Sequence, residues 1–527
     1  MYVGYVVCNT DQVMYLSSVT DWWMYEHIAT LFLVIAVTIA YYFSISTFKI
    51  WEKLNVPYSK PIPLFGNTLK QALSRDHVLE FYNKIYYEFT GRRYAGLFQM
   101  RTPYLMIRDP ELINDVLIRD FSFFADRGVF SDFTVNPLSN NLLFMRNPQW
   151  KIMRHKITPA FTPGKFKIMC DRIKECADIL IKNIDEELRE KNNEIEIRNI
   201  VRKYSIDVLG TCIFGFDLNV ISDDECKFRK YGKLIFTPSL KTLFGQVCLM
   251  ITPTLLKILK LKDHPKKVTD FFYKSLKDSM MYREENKIIK NDFTQVLMKA
   301  RNDLVLNTSL PDQDRFTESQ IIANAFGMFV AGFDTVSATV GYCLYQLALN
   351  NSIQDKVRKE IQLKLSKHNG QINYEFLMDL NYLDMVAAET LRMYPSVVVL
   401  FRRATKTYKI PNDSLIIEKG QQIVIPIYAL HYDVQYYTDP EKFIPERFST
   451  EEEAKRPNGV YLPFGDGPRM CIGKRFAEIE LKLALVEILT KFEVFPCEKT
   501  EIPLTFANNI FTMIPKNGIW LKFKKNN

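Results

Sequence analysis

The sequence has 527 residues, 47% hydrophobic and 13% aromatic, which is enough to bury a large core. A formal net charge of +9 is small for this length and argues against a nucleic-acid-binding protein. The nine cysteines show neither C-x-x-C spacing nor a paired pattern, which argues against a disulfide framework and favours reduced thiols.

An uncharged, mostly apolar segment at residues 28–48 predicts a membrane-spanning helix. At 1.5 Å per residue it is long enough to cross a hydrocarbon core of about 30 Å. Asp21 and Glu26 precede the segment and Lys49 and Lys53 follow it, so the positive-inside rule leaves the C-terminal bulk of the chain in the cytosol. A cleaved signal peptide is the alternative, but the segment lacks a basic leading region and a clear small-residue cleavage site.

Three prolines, Pro57, Pro61 and Pro63, follow the anchor and predict a stiff, extended linker, because proline fixes φ and lacks a backbone donor. No repeat, low-complexity tract or Gly/Ser-rich linker divides the rest of the chain. The predicted organisation is an N-terminal extension (1–27), a transmembrane anchor (28–48), a proline-rich linker (49–67) and one large domain (68–527).

Residues 121–144 have a loop-like pattern but contain six phenylalanines, among them Phe123 and Phe133. Aromatic side chains in a loop must either fill the core or line a ligand pocket, which is typically apolar. Further along, Trp150 and Arg154 lie one helical turn apart and so share a face. Taken alone, that pair is typical of core packing beside a surface charge.

The clearest predicted helix covers residues 316–350. Thr317 and Gln320 have the spacing of a capping box, and apolar residues follow at core spacing. Inside it lies A-G-F-D-T, residues 331–335, where Gly332 weakens the helix by up to about 1 kcal/mol relative to alanine. Asp334 stands in an apolar stretch, where an unpaired charge is costly. Taken separately, both features are typical of ordinary structure.

Glu389 and Arg392 are three residues apart on a predicted helix that ends at Pro395, so they share a face and can pair. Arg447 follows in P-E-R-F, residues 445–448. Such pairs are common on protein surfaces, so the spacing alone is a weak signal.

Cys471 lies where a glycine-rich loop, residues 463–473, runs into a predicted helix. Unpaired backbone N–H groups and the helix dipole at such a junction favour an anion, so a thiolate here could bind a metal. A papain-like nucleophile is an alternative, although none of the six histidines lies in the loop. A buried cysteine acting as a small hydrophobe is the other alternative.

The loop as a whole is more specific than its cysteine. Phe464, Gly467, Arg469, Cys471 and Gly473 match F-x-x-G-x-R-x-C-x-G and resemble the haem-binding loop of the cytochrome P450 superfamily. With W-x-x-x-R, A-G-x-D-T, E-x-x-R and P-E-R-F in the expected order, the resemblance covers the chain from about residue 57 onward. It is most similar to microsomal P450s of insects that metabolise xenobiotics, and implies a predominantly α fold with a small β region (α+β) behind a single N-terminal membrane helix.

The resemblance also implies a cofactor, haem b (iron protoporphyrin IX), with Cys471 as the metal ligand. Thr335 would hydrogen-bond the oxygen under activation and Asp334 would relay protons. The implied cofactor-binding residues are Trp150, Arg154, Arg402, Phe464, Arg469 and Gly473, with Arg403 competing with Arg402 for a propionate. Glu389, Arg392 and Arg447 would form a buried ion network, and the substrate-pocket candidates are Phe123, Phe133, Phe329, Ala331, Val398 and Phe511.

The activity implied is that of a haem-thiolate monooxygenase of the endoplasmic reticulum, which inserts one oxygen atom from O2 into a lipophilic substrate. NADPH electrons would arrive through NADPH-cytochrome P450 reductase, with cytochrome b5 as a second candidate partner. The candidate docking face is basic and consists of Lys151, Lys156, Lys474, Arg475 and Lys482. Xenobiotic detoxification is expected, and hydroxylation of a hormone, terpenoid or fatty acid is the alternative. A P450-fold isomerase or dehydratase, and a non-enzymatic haem- or ligand-binding protein, also stay open.

Overall fold

The computed structural model describes residues 10–73, 76–190, 193–218, 220, 226–236, 245, 258–305, 317–508 and 512–526; side chains are described from residue 23, without those of 303–305. Helices predominate in these ranges and strands are few, which confirms the predicted fold class.

The α-helices in these ranges are α1 (Thr10–Ile45), α2 (Ile50–Lys53), α3 (Leu69–Ala72), α4 (Val78–Glu88), α5 (Pro110–Asn114), α6 (Gln149–Ile157), α7 (Pro163–Glu190), α8 (Ile197–Leu209), α9 (Lys227–Phe236), α10 (Lys266–Glu285), α11 (Phe293–Val305), α12 (Glu318–Leu349), α13 (Asn351–Lys367), α14 (Tyr374–Met378), α15 (Asn381–Met393), α16 (Ile427–His431), α17 (Thr450–Ala454) and α18 (Lys474–Lys491). One-turn π-helices, Asp115–Arg119 and Gly210–Phe214, continue α5 and α8. Short 3-10 turns include Pro445–Phe448 and Gly467–Arg469.

The strands are β1 (Tyr94–Gln99), β2 (Thr102–Ile107), β3 (Glu194–Glu196), β4 (Leu400–Arg403), β5 (Tyr408–Lys409), β6 (Ile416–Ile417), β7 (Gln422–Ile425), β8 (Phe492–Phe495) and β9 (Trp520–Lys525). The main sheet has the order β1-β2-β7-β4, with β2 and β7 parallel and the other pairs antiparallel. A second, antiparallel sheet has the order β3-β9-β8, and β5 pairs with β6.

Helix α12 is the central helix of the core. Its N-terminus has the predicted capping box: the backbone N–H of Gln320 donates to Thr317 Oγ1 at 3.2 Å, and Thr317 N donates to the Gln320 side chain at 3.1 Å. Most of its side chains are buried, and α8 packs along it. Gly332 lies at this contact, where a Cβ would meet the Leu209 side chain at 2.7 Å. The glycine therefore permits close helix packing, and α12 stays continuous through it.

The N-terminal helix α1 is apolar and almost unburied, as expected of a membrane anchor. It is longer than the predicted anchor, because it begins at Thr10 within the predicted extension and ends at Ile45. Helix α12 is also long and apolar enough to cross a membrane, but it is mostly buried in the core.

The proline-rich segment after α1 packs against the main sheet instead of standing away from it. Trp51 is buried, and its indole N–H donates to the carbonyl of Leu97 at 3.3 Å. Ser59 N donates to the carbonyl of Gly96 at 3.1 Å. The end of α1 is held as well, since Arg101 of the β1–β2 turn lies 3.8 Å from the ring centroid of Phe43. The linker is thus fixed to the domain by packing and hydrogen bonds.

Candidate functional site

A cavity of about 1240 Å³ lies beside α12. Cys471 contributes to its wall, as do Ala331 and Thr335 from the A-G-F-D-T segment. The cavity therefore brings together two motifs that are far apart in the sequence. Its volume exceeds the 300–1,000 Å³ of most ligand pockets, so it can hold a large cofactor and a substrate together.

The loop before Cys471 is shaped by glycine. Gly467 has φ +69°, and a Cβ there would lie 1.9 Å from the carbonyl oxygen of Leu117, so no larger residue fits. Cys471 N donates to the carbonyl of Phe464 at 2.9 Å, which closes the loop directly under the cysteine. Phe464 and Gly473, for which cofactor contacts are predicted, both border the cavity.

The thiol of Cys471 opens onto the cavity, although protein surrounds it on its other sides. Burial raises the pKa of this thiol, while the backbone N–H of Gly473 and the guanidinium groups of Arg127 and Arg154 lower it. No group of three His, Cys, Asp or Glu that could hold a metal ion occurs in the described residues. A metal bound at Cys471 would therefore need further ligands from a cofactor.

An ion network supports the loop, with Glu389 and Arg392 fully buried and Arg447 mostly buried. Arg392 donates from Nε to Glu389 Oε2 at 2.7 Å and from Nη2 to Oε1 at 3.0 Å. Arg447 Nε lies 3.3 Å from the same carboxylate, and Ile444 N donates to it at 3.0 Å. The predicted Glu389–Arg392–Arg447 network is therefore present in the structure.

Sequence reasoning missed His431, which connects this network to the cysteine loop. Leu462 N donates to its Nε2 at 3.0 Å, so the proton of the neutral ring lies on Nδ1, which donates to the Arg392 carbonyl at 3.0 Å. Arg392 Nη1 donates back to the His431 carbonyl at 2.8 Å. Burial lowers the pKa of His431 to about 3, so the ring stays neutral. No motif in the sequence marks this histidine.

Four of the arginines that border the cavity form one cluster: Arg127, Arg154, Arg402 and Arg469. Arg402 is buried at the cavity and Arg403 is partly exposed, which favours Arg402 of the two propionate candidates. The guanidinium of Arg469 lies 4.1 Å from the ring centroid of Trp150, so the indole contacts Arg469 of the cysteine loop, a contact that the W-x-x-x-R pairing with Arg154 did not predict. Arg127 was not predicted, because it belongs to no motif that the sequence displays.

This cluster lacks counter-charge. Arg402 Nε and Arg469 Nη1 are buried without a hydrogen-bond partner. Burial and neighbouring arginines lower the pKa of Arg402 to about 9 and that of Arg469 to about 8, and burial lowers that of Arg127 to about 10. Within the described ranges, the acidic partner of the cluster is Asp126, 3.7 Å from Arg469 Nη2. The cavity therefore fits an anionic ligand, and the two propionates of haem have the required charge and planar acceptor geometry.

Thr335 and Asp334 lie on different sides of α12. The Thr335 hydroxyl borders the cavity and donates to the Ala331 carbonyl at 2.7 Å. The Asp334 carboxylate instead accepts from Arg198 at 2.7 Å and from Arg202 at 2.6 Å, both on α8. The Asp334 carboxylate is thus turned away from the cavity wall and held in ion pairs, which does not fit direct relay of a proton from Asp334 to Thr335 within the cavity.

Most predicted pocket residues lie away from the cavity. Phe329 is buried in an aromatic cluster with its ring 5.6 Å from that of Phe214, and Phe123 packs on Tyr408 at 5.3 Å. Val398 points into the core, while its neighbours Val397 and Val399 border the cavity. Phe133 is not at the wall, Phe511 lies outside the described residues, and Ala331 is at the wall as predicted. The aromatic rings that do border the cavity include Phe144, Phe326 and Phe401.

The predicted basic face is only partly a surface. Lys151, Lys474 and Arg475 are exposed, and Lys156 is partly exposed. Lys482 is buried, donates to the Leu377 carbonyl at 2.8 Å and pairs with Asp384 at 2.5 Å. Lys482 is therefore corrected from a docking residue to a structural one, because its ammonium group holds α14 and α15 against α18.

Comparison with known proteins identifies relatives over nearly the whole chain. Residues 56–522 match the family model described as Cytochrome P450. The protein named "Probable cytochrome P450 6a13" of Drosophila melanogaster is 38% identical over 479 residues, covering 90% of this chain and 94% of that protein. "Cytochrome P450 6a2" of the same species is 36% identical over 507 residues, covering 94% and 99%. "Cytochrome P450 6j1" of Blattella germanica is 34% identical over 510 residues, covering 96% and 100%.

Proposed function

The chain belongs to the cytochrome P450 family and is a P450 monooxygenase, and from this premise we propose that it oxidises lipophilic xenobiotics with NADPH electrons delivered by NADPH-cytochrome P450 reductase. The observation that carries the proposal is that the Cys471 thiol and the Thr335 hydroxyl border one large cavity. Much of the remaining wall is apolar, including Leu138, Leu142 and Val330, which suits a lipophilic substrate.

Haem b is the cofactor that the family implies, and when bound it supplies an iron that activates dioxygen. We assign Cys471 as its thiolate ligand, at the end of the loop that Gly467 shapes. Trp150 and the four clustered arginines would bind the propionates, and Arg402 and Arg469 have unpaired donor atoms for this purpose. Phe464 and Gly473 would contact the cofactor from the loop.

We assign Thr335 to holding and moving a proton at its hydroxyl oxygen. Its hydroxyl already donates to the Ala331 carbonyl, so it can accept from water while keeping its place on α12. Asp334 is assigned a positioning role instead, because its carboxylate holds α12 against Arg198 and Arg202.

Thr335→Ala is expected to leave haem bound and to uncouple NADPH oxidation from product formation. Positioned proton donors contribute about 10²- to 10⁴-fold, and water can replace part of that, so product per NADPH should fall roughly 10- to 100-fold. The measurement is product and hydrogen peroxide formed per NADPH oxidised. Thr335→Ser keeps a hydroxyl and should retain coupling. Full coupling in Thr335→Ala would exclude the assigned role.

The reductase, with cytochrome b5 as a second donor, is proposed to dock on the exposed basic residues Lys151, Lys474 and Arg475. Replacing all three with glutamine should raise the KM for reductase roughly 3- to 150-fold, since each exposed ion pair contributes about 0.2–1 kcal/mol. The thiolate-type spectrum of the reduced CO complex should not change. Lys419→Gln, an exposed lysine between β6 and β7, is the matched control. An unchanged KM in the triple variant would reject this docking face.

We place the protein in the endoplasmic reticulum membrane as a single-pass protein with its catalytic domain in the cytosol. The support is the apolar, unburied helix α1, followed on its C-terminal side by Lys49 and Lys53. Membrane fractionation with protease protection tests this topology, since a cytosolic domain is digested in sealed microsomes.

The function itself is tested by reconstituting the full chain with reductase in lipid and supplying 7-ethoxycoumarin. We expect dealkylation that requires both NADPH and O2. In a second assay, hydroxylation of dodecan-1-ol under ¹⁸O2 should place one ¹⁸O atom in the product. Turnover without NADPH would instead support an isomerase or dehydratase. No NADPH consumption with any lipophilic probe would contradict the oxygenase function.

A further inference from the structure

We propose that His264 determines substrate specificity by hydrogen-bonding an oxygen function at the far end of an otherwise lipophilic substrate. This inference rests on the proposed function, since it concerns the substrate of the same cavity. His264 and the adjoining wall residues are named by no motif in the sequence.

His264 is located within the cavity by its contact with Phe326 of α12. Its ring lies 5.5 Å from the ring of Phe326 at an interplanar angle of 72°, and both residues border the cavity. Phe326 and Thr335 lie on the same helix, about 13 Å apart at 1.5 Å per residue. A substrate that reaches from Thr335 to His264 is therefore an elongated molecule with its polar group remote from the oxidised carbon.

The backbone around His264 is held in place by its neighbour. Asp263 Oδ2 accepts hydrogen bonds from the hydroxyls of Ser131 and Ser139, both at 2.7 Å. Asp263 N donates to Asn136 Oδ1 at 2.8 Å, and Asn136 Nδ2 donates to the Leu261 carbonyl at 3.3 Å. A binding residue is most effective when its own position is fixed by such supporting bonds.

The other polar side chains near it are already satisfied. Asn324 donates to the Gln320 carbonyl at 2.8 Å and accepts from Leu142 N at 3.0 Å. Asn141 donates to the Leu138 carbonyl at 2.9 Å and accepts from Leu143 N at 3.0 Å. Each of these amides therefore has a partner for both its donor and its acceptor function.

His264 differs from these side chains. Neither of its ring nitrogens has a hydrogen-bond partner in the described part of the chain, although most of the residue is buried. Burial lowers its pKa below 6.5, with the nearby Asp263 opposing this, so the ring is neutral at physiological pH. A neutral imidazole offers one donor and one acceptor, which matches a hydroxyl or carbonyl group on a ligand.

The chemistry favours oxygenated lipophiles over hydrocarbons. A hydrocarbon at this end of the cavity would cover the imidazole without replacing its hydrogen bonds to water, which is unfavourable. A hydroxyl or carbonyl group would satisfy it, while the apolar walls at Leu138 and Leu142 take the rest of the molecule. The expected substrate class is therefore a mono-oxygenated chain or polycycle, oxidised at the end opposite its oxygen.

The test compares dodecan-1-ol with n-dodecane by equilibrium dialysis against the full-length holoprotein in detergent. The wild type should prefer the alcohol over the alkane relative to their partition into detergent alone. His264→Phe keeps an aromatic ring without donor or acceptor, and should weaken alcohol binding about 5- to 10-fold without weakening alkane binding. His264→Gln restores a donor and an acceptor and should recover part of the preference. His368→Phe, the same change at the residue that follows α13, is the matched control.

The proposal would be overturned if His264→Phe weakened the binding of both probes equally, or if it left the preference for the alcohol unchanged. The dialysis measures binding and does not depend on turnover. A wild type that binds dodecan-1-ol selectively through His264 but consumes no NADPH with any lipophilic probe would therefore contradict the proposed function and support the role of His264.

Discussion

Cys471→Ser is expected to abolish the red-shifted Soret band of the reduced CO complex and to reduce oxygen insertion to background. Serine preserves the shape of the loop, including the hydrogen bond from the backbone N–H of residue 471 to the Phe464 carbonyl. Its hydroxyl does not ionise near neutral pH, so it cannot replace the thiolate that donates electron density to the iron. Loss of the ligand itself should lower activity by more than the 10- to 100-fold that is typical when a residue that only supports a ligand is replaced.

A second substitution separates the ligand from the loop. Cys471→His supplies an imidazole, which binds iron without the red-shifted band, so haem should be retained while oxygen insertion is lost. Cys226→Ser changes a partly exposed cysteine elsewhere and should behave as the wild type. A red-shifted band in Cys471→Ser would show that another residue is the ligand.

Glu389→Gln is expected to lower the free energy of unfolding by about 3–5 kcal/mol and to cost the protein much of its haem. Glutamine keeps the size of the side chain but removes the charge that faces Arg392 and Arg447. Breaking one partner of a buried ion pair leaves the other charge desolvated and unpaired, and this is the source of the penalty. Urea unfolding and the haem content of the purified protein measure the two effects.

The matched control is Glu175→Gln, which breaks an exposed pair with Arg172 at the same i,i+3 spacing on α7. Exposed pairs contribute little, so its stability should stay near that of the wild type. If both substitutions had the same small effect, the network at Glu389 would not be what holds the loop. Arg392→Lys should resemble Glu389→Gln, because lysine cannot keep the two parallel bonds to the carboxylate.

The parts of the site that depend on short-range geometry could be predicted from the sequence. Glu389 and Arg392 share a face of any helix because they are three residues apart. The glycines before Cys471 permit a tight turn whatever the fold around them. The capping box of α12 is equally local, since its two residues bond to each other.

The parts that depend on long-range packing could not. His431 binds Arg392 and Leu462, each more than thirty positions away along the chain, and its own surroundings in the sequence are unremarkable. Asp334 and Thr335 are neighbours in the sequence, yet consecutive residues of a helix point about 100° apart, so one can border the cavity while the other does not. Which one does so depends on Arg198 and Arg202 of α8.

The surroundings of the phenylalanines also could not be predicted from the sequence. Aromatic content marked the regions that pack inside, but whether a ring meets a cavity or another ring depends on the partner that the fold brings to it. Phe329 meets Phe214 and Phe333, whereas Phe326, on the same helix, faces the cavity. Position along the helix alone did not distinguish these two rings.

The joint between α1 and the main sheet has a consequence for protein engineering. Arg101 stacks on Phe43, and Ser44 Oγ accepts from Leu64 N at 3.2 Å, so the last turn of α1 is part of the domain's own packing. A chimera that replaces the anchor with a foreign membrane helix should therefore be joined before Phe43. Splicing after Ile45 would remove the contacts that Phe43 and Ser44 make with Arg101 and Leu64.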